Sequence, residues 1–206
     1  MKAFFRKFIS NNLIERYKSL SSMKDWRARG YLDNSPQFIK QSIFNKHGIS
    51  DAKWVETGTY LGTTTRFLSS ISPHVYSIEP SEELYKSACL RFKDSNVTLF
   101  NDVSENVLFE LLPSLSGDIN FWLDGHYSAG ITFKGSKECP VEDELRAIEK
   151  NLSNFNDMTI LIDDVRCFLP SVKGEDYPSI DYLVDWARYN QMSWRIEHDI
   201  FIIKKS

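Results

Sequence analysis

The stretch Lys53-Trp-Val-Glu-Thr-Gly-Thr-Tyr-Leu-Gly-Thr-Thr-Thr65 decides the fold of this chain. The β-branched and aromatic pair Trp54-Val55 predicts the end of a strand, and the glycine-containing turn that begins at Glu56 leads into a threonine-capped apolar segment typical of a helix. Gly58 lets the backbone turn tightly, and Gly62 is predicted to leave no side chain between the loop and a ligand. The start of the helix offers free N–H groups to such a ligand.

The spacing of the two glycines argues against a dinucleotide site. Such sites use G-x-G-x-x-G, in which closely spaced glycines let a pyrophosphate approach the helix. Here Glu56 would repel a diphosphate, whereas it suits a ligand with a positive group. Glu-x-Gly-x-x-x-Gly resembles the first motif of class I S-adenosylmethionine-dependent methyltransferases, whose ligand carries an ammonium and a sulfonium group. A turn that binds nothing there is the alternative.

Composition indicates one ordinary globular domain. The 206 residues are 42% hydrophobic and 26% charged, and the net charge of -3 gives no reason to expect a nucleic-acid partner. Three widely separated cysteines form neither a zinc spacing nor a disulfide framework, so we expect a cytoplasmic protein.

Positive charge is concentrated at the N-terminus. Residues 1–30 carry eight Lys or Arg against two acids, and apolar residues recur among them at helical spacing. We therefore predict a basic amphipathic helical extension over residues 1–34 and a catalytic domain over 35–206. The helix would pack on the domain or on a second subunit, which leaves homo-oligomer formation open, or residues 1–20 would attach weakly to an anionic membrane surface. The pattern is neither that of a signal peptide nor that of a membrane span.

From residue 35 onward, predicted strands alternate with predicted helices. The strands end at Glu56, Ile78, Phe100, Leu123 and Ile162, and the run Trp194–Ile203 indicates two strands around a His198-Asp199 turn. Helices between strands predict parallel βαβ units. The expected fold is α/β, a Rossmann-like, doubly wound and mostly parallel sheet with a C-terminal antiparallel hairpin.

An acid stands at or just beyond the end of each of the first five strands, at Glu56, Glu79, Asp102, Asp124 and Asp163-Asp164. Ligands of such sheets bind beyond the carboxyl ends of the strands. Glu79 could accept both ribose hydroxyls of a nucleoside, and Asp102 could accept a hydrogen bond from an adenine amino group. Glu56 and the backbone around Gly58 would face the methionine end. Asn101-Asp102 equally fits a simple helix start.

Asp124, Asp163 and Asp164 form a second group of acids. The ends of neighbouring strands lie about 5 Å apart, so three carboxylates there would repel one another. A hard divalent cation resolves this repulsion, and oxygen ligands favour Mg²⁺. His126 follows Asp124 by two residues and could take a proton from a hydroxyl group. The alternatives are an acid that caps the following turn without a metal, and a structural histidine.

Four segments together resemble the metal-dependent O-methyltransferases of class I, and most closely the macrocin-type sugar O-methyltransferases: Val55-Glu-Thr-Gly-Thr-Tyr-Leu-Gly62, Ile78-Glu-Pro80, Leu123-Asp-Gly-His-Tyr127 and Ile162-Asp-Asp-Val165. The catechol type is more distantly similar and has a lysine where this chain has Gly125-His126. The resemblance implies metal contacts at Asp124, Asp163 and Asp164, with His126 and Asp124 catalytic. The cofactor contacts that it implies are Glu56, Gly58, Thr59, Tyr60, Gly62, Thr63, Glu79, Asp102 and Asp124.

The expected function is transfer of a methyl group from S-adenosylmethionine to a hydroxyl of a sugar or another small polar metabolite, with Mg²⁺ assistance. Loops 127–139 and 165–178 would build the acceptor pocket. Its candidate lining residues, each of which could equally lie at the surface, are Tyr127, Phe133, Lys134, Arg166 and Phe168. Two alternatives stay open: a metal-dependent hydrolase that uses the Asp cluster, and a catalytically silent cofactor-binding subunit.

Overall fold

The computed structural model describes residues 20–31, 34–125, 139–170 and 176–205. Its strands are β1 Lys53–Thr57, β2 Val75–Ile78, β3 Val97–Phe100, β4 Gly117–Leu123, β5 Phe155–Ile162, β6 Ser193–Glu197 and β7 Ile200–Lys204. They form a seven-stranded sheet in the order β3-β2-β1-β4-β5-β7-β6. Strands β1 to β5 are parallel, whereas β7 runs antiparallel to both β5 and β6. The predicted fold class, including the C-terminal hairpin, is confirmed.

Helices follow the strands as the alternation predicted. They are α1 Gln37–His47, α2 Thr63–Ile71, α3 Glu82–Arg91, α4 Ser104–Leu111, α5 Val141–Glu149 and α6 Ile180–Tyr189, with short 3₁₀ turns at Leu112–Ser114, Leu152–Asn154 and Val165–Phe168. At the start of α3, Ser81 Oγ accepts the backbone N–H of Leu84 at 3.5 Å. A serine in that position satisfies an N–H group that the helix itself leaves unpaired.

Successive residues of a strand point to opposite faces of the sheet, and both faces are buried. Val55 and Phe121 belong to a core that also contains apolar residues of α4, α5 and α6. Trp54 and Trp122 belong to a second core with residues of α1 and α2. Burial on both faces explains why consecutive apolar residues such as Trp54-Val55 and Phe121-Trp122-Leu123 occur in the central strands.

The helical residues 20–28 are attached to the sheet through Trp26, which is 2% exposed. Its ring lies 4.8 Å from that of Tyr31 and 6.3 Å from that of His198, in the turn between β6 and β7. Residues 1–19 lie outside the described residues, so the basic amphipathic helix and its membrane contact stay predictions. None of the helices that the structure describes has both the length and the apolar composition needed to cross a bilayer.

Candidate functional site

The candidate site lies at the carboxyl edge of the sheet, where the strand order changes. Strand β1 pairs with β2 on one side and with β4 on the other. The register aligns Thr57 with Leu123 and Leu123 with Ile162, so the residues that follow these strands lie side by side. Open α/β sheets bind ligands in the crevice at this change of order.

Glu56 is fully buried beneath the loop that joins β1 to α2. Its Oε2 accepts the hydroxyls of Thr65 and Ser77, each at 2.6 Å, and the Ser77 hydroxyl lies 2.6 Å from that of Thr59. Oε1 is buried and has no hydrogen-bond partner among the described residues. Burial raises the pKa of Glu56 from 4.5 to about 8, although the two hydroxyls oppose the shift. Glu56 therefore links the start of α2 to β2 through Thr65 and Ser77, and its Oε1 remains available to accept a hydrogen bond.

The loop itself depends on two glycines with positive φ. Gly58 has φ +85°, and a Cβ there would overlap the carbonyl oxygen of Asp124. Gly62 has φ +68° and directly precedes α2, where a Cβ would come within 2.8 Å of the Phe92 ring. The positive φ and the packing against Phe92 both favour glycine at position 62, and the predicted approach of a ligand to Gly62 stays a prediction.

Glu79 connects this loop to the end of β2. Its Oε2 accepts the backbone N–H of Tyr60 at 2.7 Å, and its Oε1 accepts that of Ser81 at 2.9 Å. The residue is 3% exposed, and burial raises its pKa. A carboxylate has about four lone-pair sites, so both oxygens keep capacity for further donors such as ribose hydroxyls. Tyr60 and Thr63 are exposed, whereas Thr59 is buried.

Asp102 lies exposed at the end of β3 and uses its carboxylate locally. Its Oδ1 accepts the backbone N–H of Val103 at 2.7 Å and the side-chain amide of Asn106 at 3.3 Å. These contacts match the helix-start alternative and leave the adenine contact a prediction. The neighbouring Asn101 donates to the carbonyl oxygen of Glu79 at 2.9 Å and so links β3 to β2.

A lysine from α1 lies between the acids that follow β4 and β5. Lys40 Nζ donates to Asp163 Oδ2 and lies 3.5 Å from Asp124 Oδ2. Burial alone lowers the pKa of Lys40, but the charges of Asp124 and Asp163 outweigh it, so the net pKa is raised. Burial also raises the pKa of Asp163, and the ammonium group opposes this shift. Lys40 therefore carries its charge at neutral pH.

Asp164 forms an ion pair with a different cation from the one that pairs with Asp163. It has φ +56°, and its Oδ1 lies 2.6 Å from Nη1 of Arg166, which also pairs with Asp199. Burial lowers the pKa of Arg166, and Asp164 and Asp199 raise it by more. Asp199 further accepts the backbone N–H of Arg166 at 2.8 Å. This ion-pair group fastens the end of β5 to the turn between β6 and β7.

The residues present do not fit the predicted Mg²⁺. In the ranges that the structure describes, no group of three or more His, Cys, Asp or Glu side chains is arranged to hold a metal ion. Asp124 and Asp163 share the Lys40 ammonium, whereas Asp164 pairs with Arg166. Each acid of the predicted ligand set thus already has a cation supplied by the chain.

His126 and most of the predicted acceptor loop, residues 126–138, lie outside the described residues, as do residues 171–175. Phe168, expected as a candidate lining residue, is instead 2% exposed and belongs to the core. A small cavity opens beside Asp163 and Gly125, between the ends of β4 and β5 and the start of α5. Among the predicted site acids, Asp163 lines this cavity.

Comparison with known proteins gives matches among solved structures alone. No protein-family model matches the chain, and no curated protein is similar to it. The 23S rRNA methyltransferase ErmE matches with a TM-score of 0.55 at 12% identity, over 84% of this chain and 69% of that chain. A putative rRNA methylase from Clostridium thermocellum gives 0.53 at 13%, over 80% and 93%. The complex of DhpI with SAH gives 0.50 at 14%, over 92% and 93%.

The fold is the Rossmann-like methyltransferase fold. Identities this low establish the fold and leave the macrocin-type resemblance, the acceptor and the metal to be argued separately. Glu56 lies near the end of β1, and Glu79 and Asp124 directly follow β2 and β4, so these three predicted site residues lie at the carboxyl edge of the sheet, where the strand order changes.

The sequence reasoning missed Lys40 and Arg166 as partners of the predicted metal ligands. One signal for Lys40 was present, because it lies one turn before Ile43 and Phe44 on the face of α1 that is buried. A charged residue on an apolar helix face needs a buried partner. Arg166 was predicted as a candidate lining residue without its ion pairs.

Proposed function

We propose that this chain transfers a methyl group from S-adenosylmethionine to a hydroxyl of a sugar or another small polar metabolite. The observation that carries the proposal is the pair of buried acids, Glu56 and Glu79, around the loop between β1 and α2 in a methyltransferase fold. When bound, the cofactor supplies a methyl group that its sulfonium charge has activated.

The acids offer what this cofactor needs. Glu56 Oε1 is a buried acceptor without a donor among the described side chains. Such an atom costs free energy until a donor reaches it, and the cofactor's ammonium group is a donor of that kind. Two backbone N–H groups hold the Glu79 carboxylate, and its remaining lone pairs would accept the ribose hydroxyls. Gly58, Thr59, Tyr60, Gly62 and Thr63 would form the loop against the methionine end, and Asp102 would reach the adenine.

On the acceptor side, the chain would hold the hydroxyl in line with the methyl group and remove its proton. Asp124 follows β4 beside the cofactor loop, and its N–H donates to the Thr57 carbonyl at 3.3 Å. We propose that His126, two residues farther along the chain, accepts the proton of the acceptor hydroxyl. No role is assigned to Mg²⁺, because Lys40 and Arg166 already pair with its predicted ligands.

Glu79 variants test the cofactor site. We expect Glu79→Ala to weaken S-adenosylmethionine binding about tenfold or more, because hydrogen bonds to a charged group contribute roughly 1.5–3 kcal/mol. Glu79→Gln should retain part of the affinity, since one amide oxygen still accepts. Isothermal titration calorimetry measures both, with Glu82→Gln as the control because Glu82 is exposed and pairs with Lys86. Unchanged affinity in Glu79→Ala would remove Glu79 from the site.

An acceptor screen tests the substrate class. The full chain, incubated with S-adenosylmethionine and a panel of sugars, should add the mass of one methyl group to at least one of them in mass spectrometry. Ribosomal RNA belongs in the panel, since two structural neighbours are described as rRNA methylases. The chain's net charge of -3 favours a small acceptor over a polyanion. Methylation of RNA alone would overturn the proposed acceptor.

The two rival functions predict different responses in a thermal-shift experiment. Stabilisation by Mg²⁺ alone would support the hydrolase, and stabilisation by S-adenosylmethionine without turnover of any acceptor would support the silent subunit. A cytoplasmic location and a homo-oligomer remain proposals. Cys89, Cys139 and Cys167 are free thiols, which suits a reducing compartment.

A further inference from the structure

We infer that Lys40 is the resident cation of the Asp124–Asp163 pair and that this part of the site works without a bound divalent cation. The inference concerns the charge balance of the acids and does not depend on the identity of the methyl acceptor. It replaces the Mg²⁺ that the sequence predicted for the same carboxylates.

The contacts of Lys40 are those of a side chain built into the site. The residue is 8% exposed, and its Nζ donates to Asp163, which is 2% exposed. The same nitrogen lies 3.5 Å from Asp124 Oδ2 and 5.2 Å from the centre of the Trp122 ring. Two carboxylates and an aromatic face therefore surround one ammonium group, all at the ends of β4 and β5.

Helix α1 holds the lysine in this place by packing. Ile43 and Phe44, on the same helix, are each 1% exposed and belong to the core that covers one face of the sheet. At the end of the helix, the carbonyl oxygen of His47 accepts the hydroxyl of Thr159 on β5 at 3.2 Å. The backbone of Lys40 is thus fixed relative to the strand that carries Asp163.

The positive charge of Lys40 opposes the binding of a second cation by Asp124 and Asp163. A buried carboxylate requires a partner, and the Lys40 ammonium already supplies it for Asp163. A divalent ion on Asp124 and Asp163 would lie within a few ångströms of that ammonium and would be repelled by it. Mg²⁺ also demands near-octahedral oxygen ligation, whereas Asp164, the third predicted ligand, pairs with Arg166.

Mn²⁺ titration of the full chain, followed by electron paramagnetic resonance, tests this inference directly and needs no turnover. Wild type should leave added Mn²⁺ free, whereas Lys40→Ala should bind one equivalent, because the variant removes the ammonium group that lies between the two carboxylates. Lys46→Ala is the matched control, since Lys46 is on the same helix but exposed, where it pairs with Glu197 at 2.6 Å. It should behave as wild type.

Two results would overturn the inference. One is wild-type binding of one Mn²⁺ that Asp163→Asn abolishes, and the other is a folded Lys40→Ala that gains no Mn²⁺. If Lys40→Ala folds poorly, thermal unfolding of a second pair of variants tests the inference instead. Lys40→Met should be less stable than wild type, and adding Asp163→Asn should restore stability because it removes the uncompensated charge. Absence of this rescue would contradict a direct Lys40–Asp163 pair.

Discussion

Replacing Gly58 by alanine should destabilise the fold and reduce S-adenosylmethionine binding by more than a hundredfold. Gly58 has φ +85°, and an added Cβ would overlap the carbonyl oxygen of Asp124, which is backbone and cannot rotate away. A positive φ costs an alanine about 1–2 kcal/mol, and an overpacked contact costs about 1–3 kcal/mol more. The loop between β1 and α2 would have to move away from β4, which would separate the predicted cofactor contacts from Asp124.

Gly117 provides a control that isolates the overlap from the backbone strain. It has φ +86°, nearly the value of Gly58, but an added Cβ there meets nothing within 4 Å. Gly117→Ala should therefore cost only about 1–2 kcal/mol and leave cofactor affinity unchanged. Urea unfolding and calorimetry on both variants give the comparison. Equal effects of the two substitutions would mean that the contact with Asp124 has no consequence for the loop.

The fold was predictable because its signals are local. Each of the first five strands has an acid at or just beyond its end, and the helix after β2 begins at a serine that caps it. The C-terminal hairpin was predicted from the run Trp194–Ile203 with a tight turn at His198 and Asp199, and both of these residues have positive φ in the structure. Such patterns need no knowledge of which elements meet in space.

The partners of the acids were not predictable in the same way. Lys40 and Asp163 are separated by 123 positions, and their pairing depends on how α1 packs across the carboxyl edge of the sheet. The adjacent acids Asp163 and Asp164 were expected to share one ion. Successive residues in extended backbone point in opposite directions, however, and Asp164 turns into the left-handed region to reach Arg166. The two adjacent carboxylates thus pair with different cations of the chain.

The five acids therefore divide by their environment. Glu56 and Glu79 bind hydroxyl or backbone N–H donors and lack an ion pair in the described structure, which leaves them suited to a cationic or hydroxylated ligand. Asp163 and Asp164 have cations from the chain itself. Asp124 lies at the boundary, close to both Gly58 and Lys40. Position at the end of a strand alone did not distinguish these roles.

Glu56 should make the stability of the ligand-free protein fall as the pH rises from about 5 to 9. Burial raises its pKa in the folded state from 4.5 to about 8, so the folded chain keeps a proton that the unfolded chain releases. Where the folded state binds more protons, the free energy of unfolding decreases with pH, by at most about 1.4 kcal/mol per pH unit for one group. The whole window gives an upper limit of about 5 kcal/mol. Below pH 4.5 both states hold the proton, and the effect disappears.

Glu56→Gln separates this contribution from that of Asp163, whose pKa burial also raises. The amide is neutral at every pH, and its oxygen can still accept the hydroxyls of Thr65 and Ser77 that Glu56 binds. Near pH 5 the variant should match wild type, and by pH 9 it should be the more stable protein by several kcal/mol. Urea unfolding at one-unit pH intervals measures the difference. Parallel curves for the two proteins would show that Glu56 is ionised in the folded state, so that the cofactor's ammonium group would meet a carboxylate already charged before binding.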